Sequence, residues 1–259
     1  MQAKTGSAYM MDNYLSVLAL LAKQNEKAIA AGQPAPYTPN ENNQYVSQSF
    51  LCSAFKLSPN ISTYTAALGV NGLSTNTPVK LAEENRLTLQ DLFFAFEIGY
   101  FFNIKATNGG STIYQSQYFT HPPGQIYSGS NINTLNALWD AKGRFQANNQ
   151  PVTPYWDMRG HYETPMTQYP VFTGPLLAST TIPVNDEQYG VSSGFRQILP
   201  GWVMDGGSTN EFLVNYNSSL ANIGIAGDMY MIIYLRGIMA QNCGKIMTSG
   251  IYNPVPVKK

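Results

Sequence analysis

The sequence predicts an all-β chain: an antiparallel β-sandwich preceded by an N-terminal helical arm. Three observations predict it. Apolar residues alternate with period two through residues 92–105, as in a strand with two distinct faces. Residues 229–239 form an apolar run of strand length. From residue 45 onward, Pro, Gly and Asn punctuate short extended segments without strand–helix alternation, which disfavours a parallel α/β sheet.

The first element is the helix. Across residues 8–31, Met11, Leu15, Leu18 and Ala22 recur at helical spacing, and so do Tyr14, Val17, Leu21 and Ala28. Gly32 is the expected stop, with Pro34 beyond it. Residues 14–22 resemble a signal-peptide core, with Ala28-Ile29-Ala30 resembling a cleavage site. Lys23, Glu26 and Lys27 stand between them, where such a leader is uncharged, so a packed helix is expected instead. The apolar run is well short of the ~20 residues that span a bilayer, and no other segment is a candidate. Pro34, Pro36 and Pro39 make residues 33–44 an extended tether. The expected division is thus an arm and tether over residues 1–44 and a β-sandwich body over 45–259.

In the body, residues 45–56 and 61–70 are expected strands, although either could include a helical turn. Residues 92–105 place Phe94, Phe96, Ile98, Tyr100, Phe102 and Ile104 on one face. Phe93, Ala95, Glu97, Gly99, Phe101, Asn103 and Lys105 fall on the other. Asn108-Gly109-Gly110 is a turn leading into a hairpin partner at 111–119. Residues 137–147 and 151–156 flank a turn at Asn148-Asn149. Shorter candidates lie at 171–173 and 179–184. Residues 211–216 follow the Gly206-Gly207 turn, and 229–239, apolar on both faces, reads as a central strand covered on both sides. The total is roughly eight to eleven strands over about 200 residues, with no internal repeat.

Composition narrows the function. Asp, Glu, Lys and Arg make up 12% of the chain, and 15 basic residues balance 15 acidic ones. That is about half the usual ~25%. Asn, Gln, Ser, Thr, Tyr and Gly stand in their place. Disorder requires low hydrophobicity with high net charge, and neither holds. No basic nucleic-acid-binding balance is present. A neutral surface with so few ions favours association. Charge is absent from residues 106–139 and 164–185, both rich in loop formers, as expected of surfaces that pack against other copies.

Candidate chemistry is sparse. Gly190-Val191-Ser192-Ser193-Gly194 fits G-x-S-x-G, but Pro200 leaves little room for the helix that a nucleophile elbow requires. His161 lies in sequence near Asp157, Arg159 and Glu163, and the reading preferred over an acid–base pair is a local polar cluster. With His121 and His161 alone, a multi-His zinc site is excluded. The 205–211 segment (Asp205 to Glu211) carries oxygens suited to Ca²⁺ but lacks EF-hand spacing, so a Gly-rich turn is expected. Asn60-Ile61-Ser62 and Asn217-Ser218-Ser219 are formal glycosylation sequons. Cys52 and Cys243, each in an apolar setting, are expected to be buried free thiols. Trp139, Trp156 and Trp202, with Tyr155 and Tyr162, could form a sugar-binding platform, although core positions are expected. No catalytic, cofactor-binding or metal-ligating residue is assigned.

A helical arm, a Pro-rich tether and a neutral, Asn/Gln/Thr/Tyr-rich body of antiparallel strands resemble the jelly-roll capsid proteins of icosahedral bacterial viruses, tailless and in some cases membrane-containing. The strands that carry the resemblance are those at 92–105, 137–147, 211–216 and 229–239. It covers most of the chain as architecture and composition, matches no family motif and transfers no functional residue. Such proteins carry single or double jelly rolls, and the strand count favours a single one here, since a double one needs about sixteen strands. The resemblance also implies a virion capsid subunit assembled in the host cytoplasm. Its partners would be copies of itself in a trimer or capsomer and other capsid proteins. Membrane or nucleic-acid contact would run through the arm or the Lys258-Lys259 tail. The alternatives are a carbohydrate-binding or adhesive sandwich and, less favoured, an enzyme using His161 with Asp157 or Glu163.

Overall fold

The structure is a computed structural model of the 259-residue chain that describes residues 6–39, 42–58, 60–70, 85–105, 120, 137–162, 194–217 and 228–252. The expected segments at 111–119, 171–173 and 179–184, residues 190–193 of the G-x-S-x-G match, Glu163, His121, Lys258 and Lys259 lie outside the described residues. So do most of the charge-free stretches at 106–139 and 164–185.

Two antiparallel sheets pack face to face. Helix α1 (Gly6–Ala30) precedes strands β1 (Tyr45–Lys56), β2 (Thr63–Ala67), β3 (Leu92–Lys105), β4 (Ala141–Ala147), β5 (Gln150–Pro151), β6 (Trp156–Asp157), β7 (Phe195–Asp205), β8 (Asn210–Tyr216), β9 (Asp228–Gln241) and β10 (Gly250–Tyr252). One sheet runs β1-β9-β3-β7-β10; the other runs β2-β8-β4-β5, with β6 also paired to β4. All strand pairs among the described residues are antiparallel. The core between the sheets takes Phe93, Tyr100, Phe102, Trp202, Met231, Ile233 and Leu235 from the first sheet. Tyr64, Phe145, Phe212, Val214 and Tyr216 come from the second. Tyr100 and Tyr216 join across this core, their hydroxyls 2.6 Å apart, and Tyr100 also donates to the Leu138 carbonyl at 2.9 Å. Tyr216→Phe should cost about 1 kcal/mol, read as a lower denaturant midpoint, because the buried Tyr100 oxygen then loses its donor.

The first sheet is covered on its other side as well. Val17 and Leu21 of α1 are fully buried against Leu92, Phe94, Phe96, Val203, Ile238 and Ala240. The expected arm is therefore docked on the sandwich. Two apolar stripes on one helix make this possible, since the Val17/Leu21 side has a partner within the chain. The helix ends as expected: Gly32 takes φ +71° and donates to the Ile29 carbonyl, and Gln33 reaches back to Ala28, which closes the last turn. The tether is stapled by amides. Asn25 exchanges two hydrogen bonds with the Tyr37 backbone (2.6 and 2.8 Å). Gln44 accepts from Thr38 N–H and donates to the Pro36 and Asn242 carbonyls.

Strand β9 is central and covered on both faces, as its sequence predicts. The face assignment for β3 is corrected. Phe93 and Ala95 point into the sandwich, but so do Ile98, Tyr100 and Phe102; Phe94 and Phe96 point to the helix. The cause is a β-bulge. Ala95 pairs with Gly237 and Glu97 with Arg236, so Phe96 is an extra residue that reverses the alternation.

Three other expectations shift in detail. The 137–147 strand starts at Ala141, because Ala137–Trp139 form a 3-10 turn that buries Leu138 and Trp139. The 151–156 strand is a broken edge, since Val152 and Thr153 both donate to the Phe145 carbonyl and only Trp156–Asp157 resume pairing. Residues 61–70 give β2 followed by a parallel bridge between Gly69 and Leu87. The Asn148-Asn149 turn matches expectation: both residues have positive φ (49° and 62°), as a two-residue type I′ hairpin requires.

Candidate functional site

Of the candidate acid–base pairs, His161 with Asp157 is not assembled, and Glu163 lies outside the described residues. His161 is 2% exposed, with Nδ1 3.4 Å from the Gly194 carbonyl and its ring edge-on to Tyr100. Burial lowers its pKa to about 4, and the nearby Arg196 charge adds to this, against a smaller raising by the Gly194 carbonyl. Asp157 instead caps the 3-10 turn Met158–His161 by accepting from Arg159 N–H, and the Arg159 guanidinium pairs with Asp140 at 2.6 Å. Among the described residues no carboxylate pairs with His161, and burial favours its neutral imidazole.

Two other groups inside the fold, the Cys243 thiol and the Tyr216 hydroxyl, are likewise held neutral by burial. Burial pushes the Cys243 thiol up to about 11, so it is the opposite of an activated nucleophile. Cys52 and Cys243 are both buried and free, as expected. Burial raises the Tyr216 hydroxyl strongly. Asp205 accepts from Lys245 N–H at 2.9 Å, and Asn210 Nδ2 donates to the Asp205 and Ser208 carbonyls. The Gly206-Gly207 segment is thus a stapled turn before β8. Among the described residues, no three His, Cys, Asp or Glu side chains gather where they could hold a metal ion. A cleft of about 480 Å³ lies at this end of the sandwich, lined by Leu89, Gln90, Gly207, Asn242, Gly244 and Lys245. Its one charged side chain, Lys245, has no acid–base partner among the other lining residues.

The proposed sugar platform is mostly interior. Trp139 and Trp202 are 2% and 1% exposed. Trp202 stacks with Phe145 and with Trp156, whose centroids lie 5.0 and 5.3 Å away. Trp156 is half-buried, and its indole N–H donates to the Met158 sulfur. Tyr155 is exposed but engaged: Arg144 lies 4.6 Å over its ring, and its hydroxyl accepts from Asn215 at 2.8 Å.

Among the described residues, several large apolar side chains face outward. On α1, Met11 and Leu15 are exposed beside half-buried Leu18 and exposed Ala22, a stripe on the side away from Val17 and Leu21. On β1, Tyr45 and Phe50 are exposed, as are Leu199 on β7 and Ile251 on β10. Phe50 stacks on Tyr234 at 5.1 Å, and Phe195 meets the edge of Tyr234 and carries Arg236 3.6 Å above its ring. Glu97 stands 3.8 Å from Arg236; burial raises its pKa while Arg236 partly offsets the rise. Uninterrupted alternation hides the Arg236–Glu97 pair, because it places Glu97 on the face of Phe93 and Ala95. No described helix is long and apolar enough to cross a membrane. Comparison with protein-family models, with curated proteins and with solved structures returns no match.

Proposed function

We propose that the chain is a structural virion protein, a self-assembling capsid subunit of single jelly-roll type that tiles an icosahedral shell of a bacterial virus. The observation that carries the reading is the strand pairing. Leaving aside the two-residue β6 and the short β10, eight strands wrap as one rolled hairpin: β1 pairs β9, β2 pairs β8, β3 pairs β7 and β4 pairs β5. Contacts of β9 with β3 and of β8 with β4 complete two four-stranded layers, an order that supports the jelly-roll reading. Low charge and the outward apolar side chains on α1, β1 and β10 support side-by-side packing, because burying such surface carries little charge desolvation. The interior positions of Trp139 and Trp202 weigh against the sugar-binding alternative. Partners would be further copies of the chain, in capsomers, and other shell proteins, with the shell assembled in the host cytoplasm. Electron microscopy and light scattering of the purified chain should find closed particles or capsomers of uniform size. A strict monomer at high concentration would overturn the proposal.

A further inference from the structure

We infer that the first half of β1, from Tyr45 to Phe50, is a pairing edge for the same strand of a second copy, the two running antiparallel across a two-fold axis at Gln48. The inference rests on the self-assembly reading and names its contact. Strand β1 lies at the end of its sheet, paired on one side to β9. Its odd-numbered residues serve β9, as the continuation at Leu57 N–H to the Met229 carbonyl illustrates. Its even-numbered residues face the outer edge. Cys52 there exchanges both backbone hydrogen bonds with Asn85, at 2.7 and 3.1 Å. The Asn85 side chain reaches one step further and donates to the Phe50 carbonyl at 2.6 Å. Beyond that cap, no described residue bonds to the outward peptide groups of Val46 and Gln48. Tyr45, Ser47, Gln48 and Phe50 are exposed.

Sheet edges are normally guarded by charge, proline or a bulge. This one has none of the three: residues 45–55 contain no charge and no proline, and the β1–β9 register runs without a shift. The absence of charge selects the occupant. A two-fold axis brings identical segments together, so any charge there would meet its own copy at short range. Here nothing repels. With Gln48 on the axis, Gln48 faces Gln48, Val46 faces Phe50 and Ser47 faces Ser49 of the second copy. The Val46 and Gln48 amides and carbonyls then join a ladder of about six hydrogen bonds, with the Phe50 carbonyl using its second lone pair. Each Val46 meets the exposed Phe50 ring of the other copy, a β-branched and aromatic cross-strand pair. Phe50 is already held in place by stacking on Tyr234, at 5.1 Å and 15°. Two five-stranded sheets would thus continue through the axis.

The test compares wild type with Gln48→Pro and Gln48→Lys by analytical ultracentrifugation of the full chain. The Gln48 N–H faces away from β9, so proline there spares the internal ladder. Gln48→Lys sets like charges on the axis at an exposed position and serves if the proline variant fails to fold. Far-UV circular dichroism and the unfolding midpoint confirm an intact subunit. The expected result is at least tenfold weaker association for the folded variants. It is accompanied by slow amide exchange at Val46 and Gln48 in the wild-type assembly only. If wild type assembles and the folded variants assemble as tightly, the edge contact is wrong while self-assembly stands. If wild type never associates, both readings fall.

Discussion

Gly237→Ala should destabilise the subunit by about 3 kcal/mol, the upper end of what overpacking a well-filled site costs. Gly237 lies on β9 opposite Ala95, at the point where β3 carries its extra residue. There the β3 backbone lies close against β9. A Cβ on Gly237 would fall inside contact distance of the Phe94 carbonyl oxygen and 2.9 Å from the Phe93 ring. A backbone carbonyl in a ladder cannot rotate away as a side chain can, so both strands must separate. The lower entropy of an alanine-containing unfolded chain returns only about 0.4–1 kcal/mol. Gly250→Ala is the matched control, since a Cβ there meets nothing within 4 Å. Chemical denaturation of the dissociated subunits should give a clearly lower midpoint for Gly237→Ala and a midpoint within about 0.5 kcal/mol of wild type for Gly250→Ala. Equal midpoints would mean that β3 and β9 do not approach as described.

The same bulge marks the limit of what the sequence discloses. Period two located β3 to the residue, because fourteen residues of alternating, largely apolar character have few other solutions. It could not locate the face change, because Phe93/Ala95 and Phe94/Phe96 are apolar on both sides and either set satisfies a core. Glu97 was the available signal. On the uninterrupted alternation it shares a face with Phe93 and Ala95, which would have placed a carboxylate inside the sandwich. With the bulge it reaches Arg236 on the outer face. Helix α1 was legible for its length and its stop at Gly32 but not for its destination, since two apolar stripes fit either a docked helix or a free arm.

The low charge content was legible from the start, and the structure adds a second cause for it. Amides do the stapling that ion pairs often do. Asn25 and Gln44 fix the tether, Asn85 caps the β1 edge, Asn148 holds Thr209, and the Asn242 side chain donates to the Asn43 carbonyl. Asn43, Asn148, Asn149 and Asn242 also occupy positive φ, where asparagine is the best tolerated residue after glycine. Part of the neutrality therefore belongs to loop construction within the subunit. The remaining argument for assembly lies in the outward side chains and the open edge of β1, which only the strand order could expose.

Acidification should act through His161. Its folded pKa of about 4 lies below the ordinary value of 6.5, because the imidazolium would be buried against Tyr100 with the Arg196 charge close by. Between those two values the unfolded chain binds the proton and the folded chain does not. Stability is therefore fully present above about pH 6.5 and is lost as the pH falls toward 4, by about 3 kcal/mol in all. Glu97 works in the other direction, since its raised folded pKa makes the folded state the better proton binder as the pH drops. Wild type alone would thus mix two opposing slopes. His161→Phe isolates the first: it keeps an aromatic ring against Tyr100 and removes the titrating nitrogen, at the cost of one long contact to the Gly194 carbonyl. Denaturant midpoints at pH 7 and pH 4.5 should then show wild type losing some 2–3 kcal/mol more than the variant. Parallel losses in both proteins would place a charged or solvent-accessible imidazole at residue 161. Such a group would reopen the acid–base chemistry that its burial in this fold argues against.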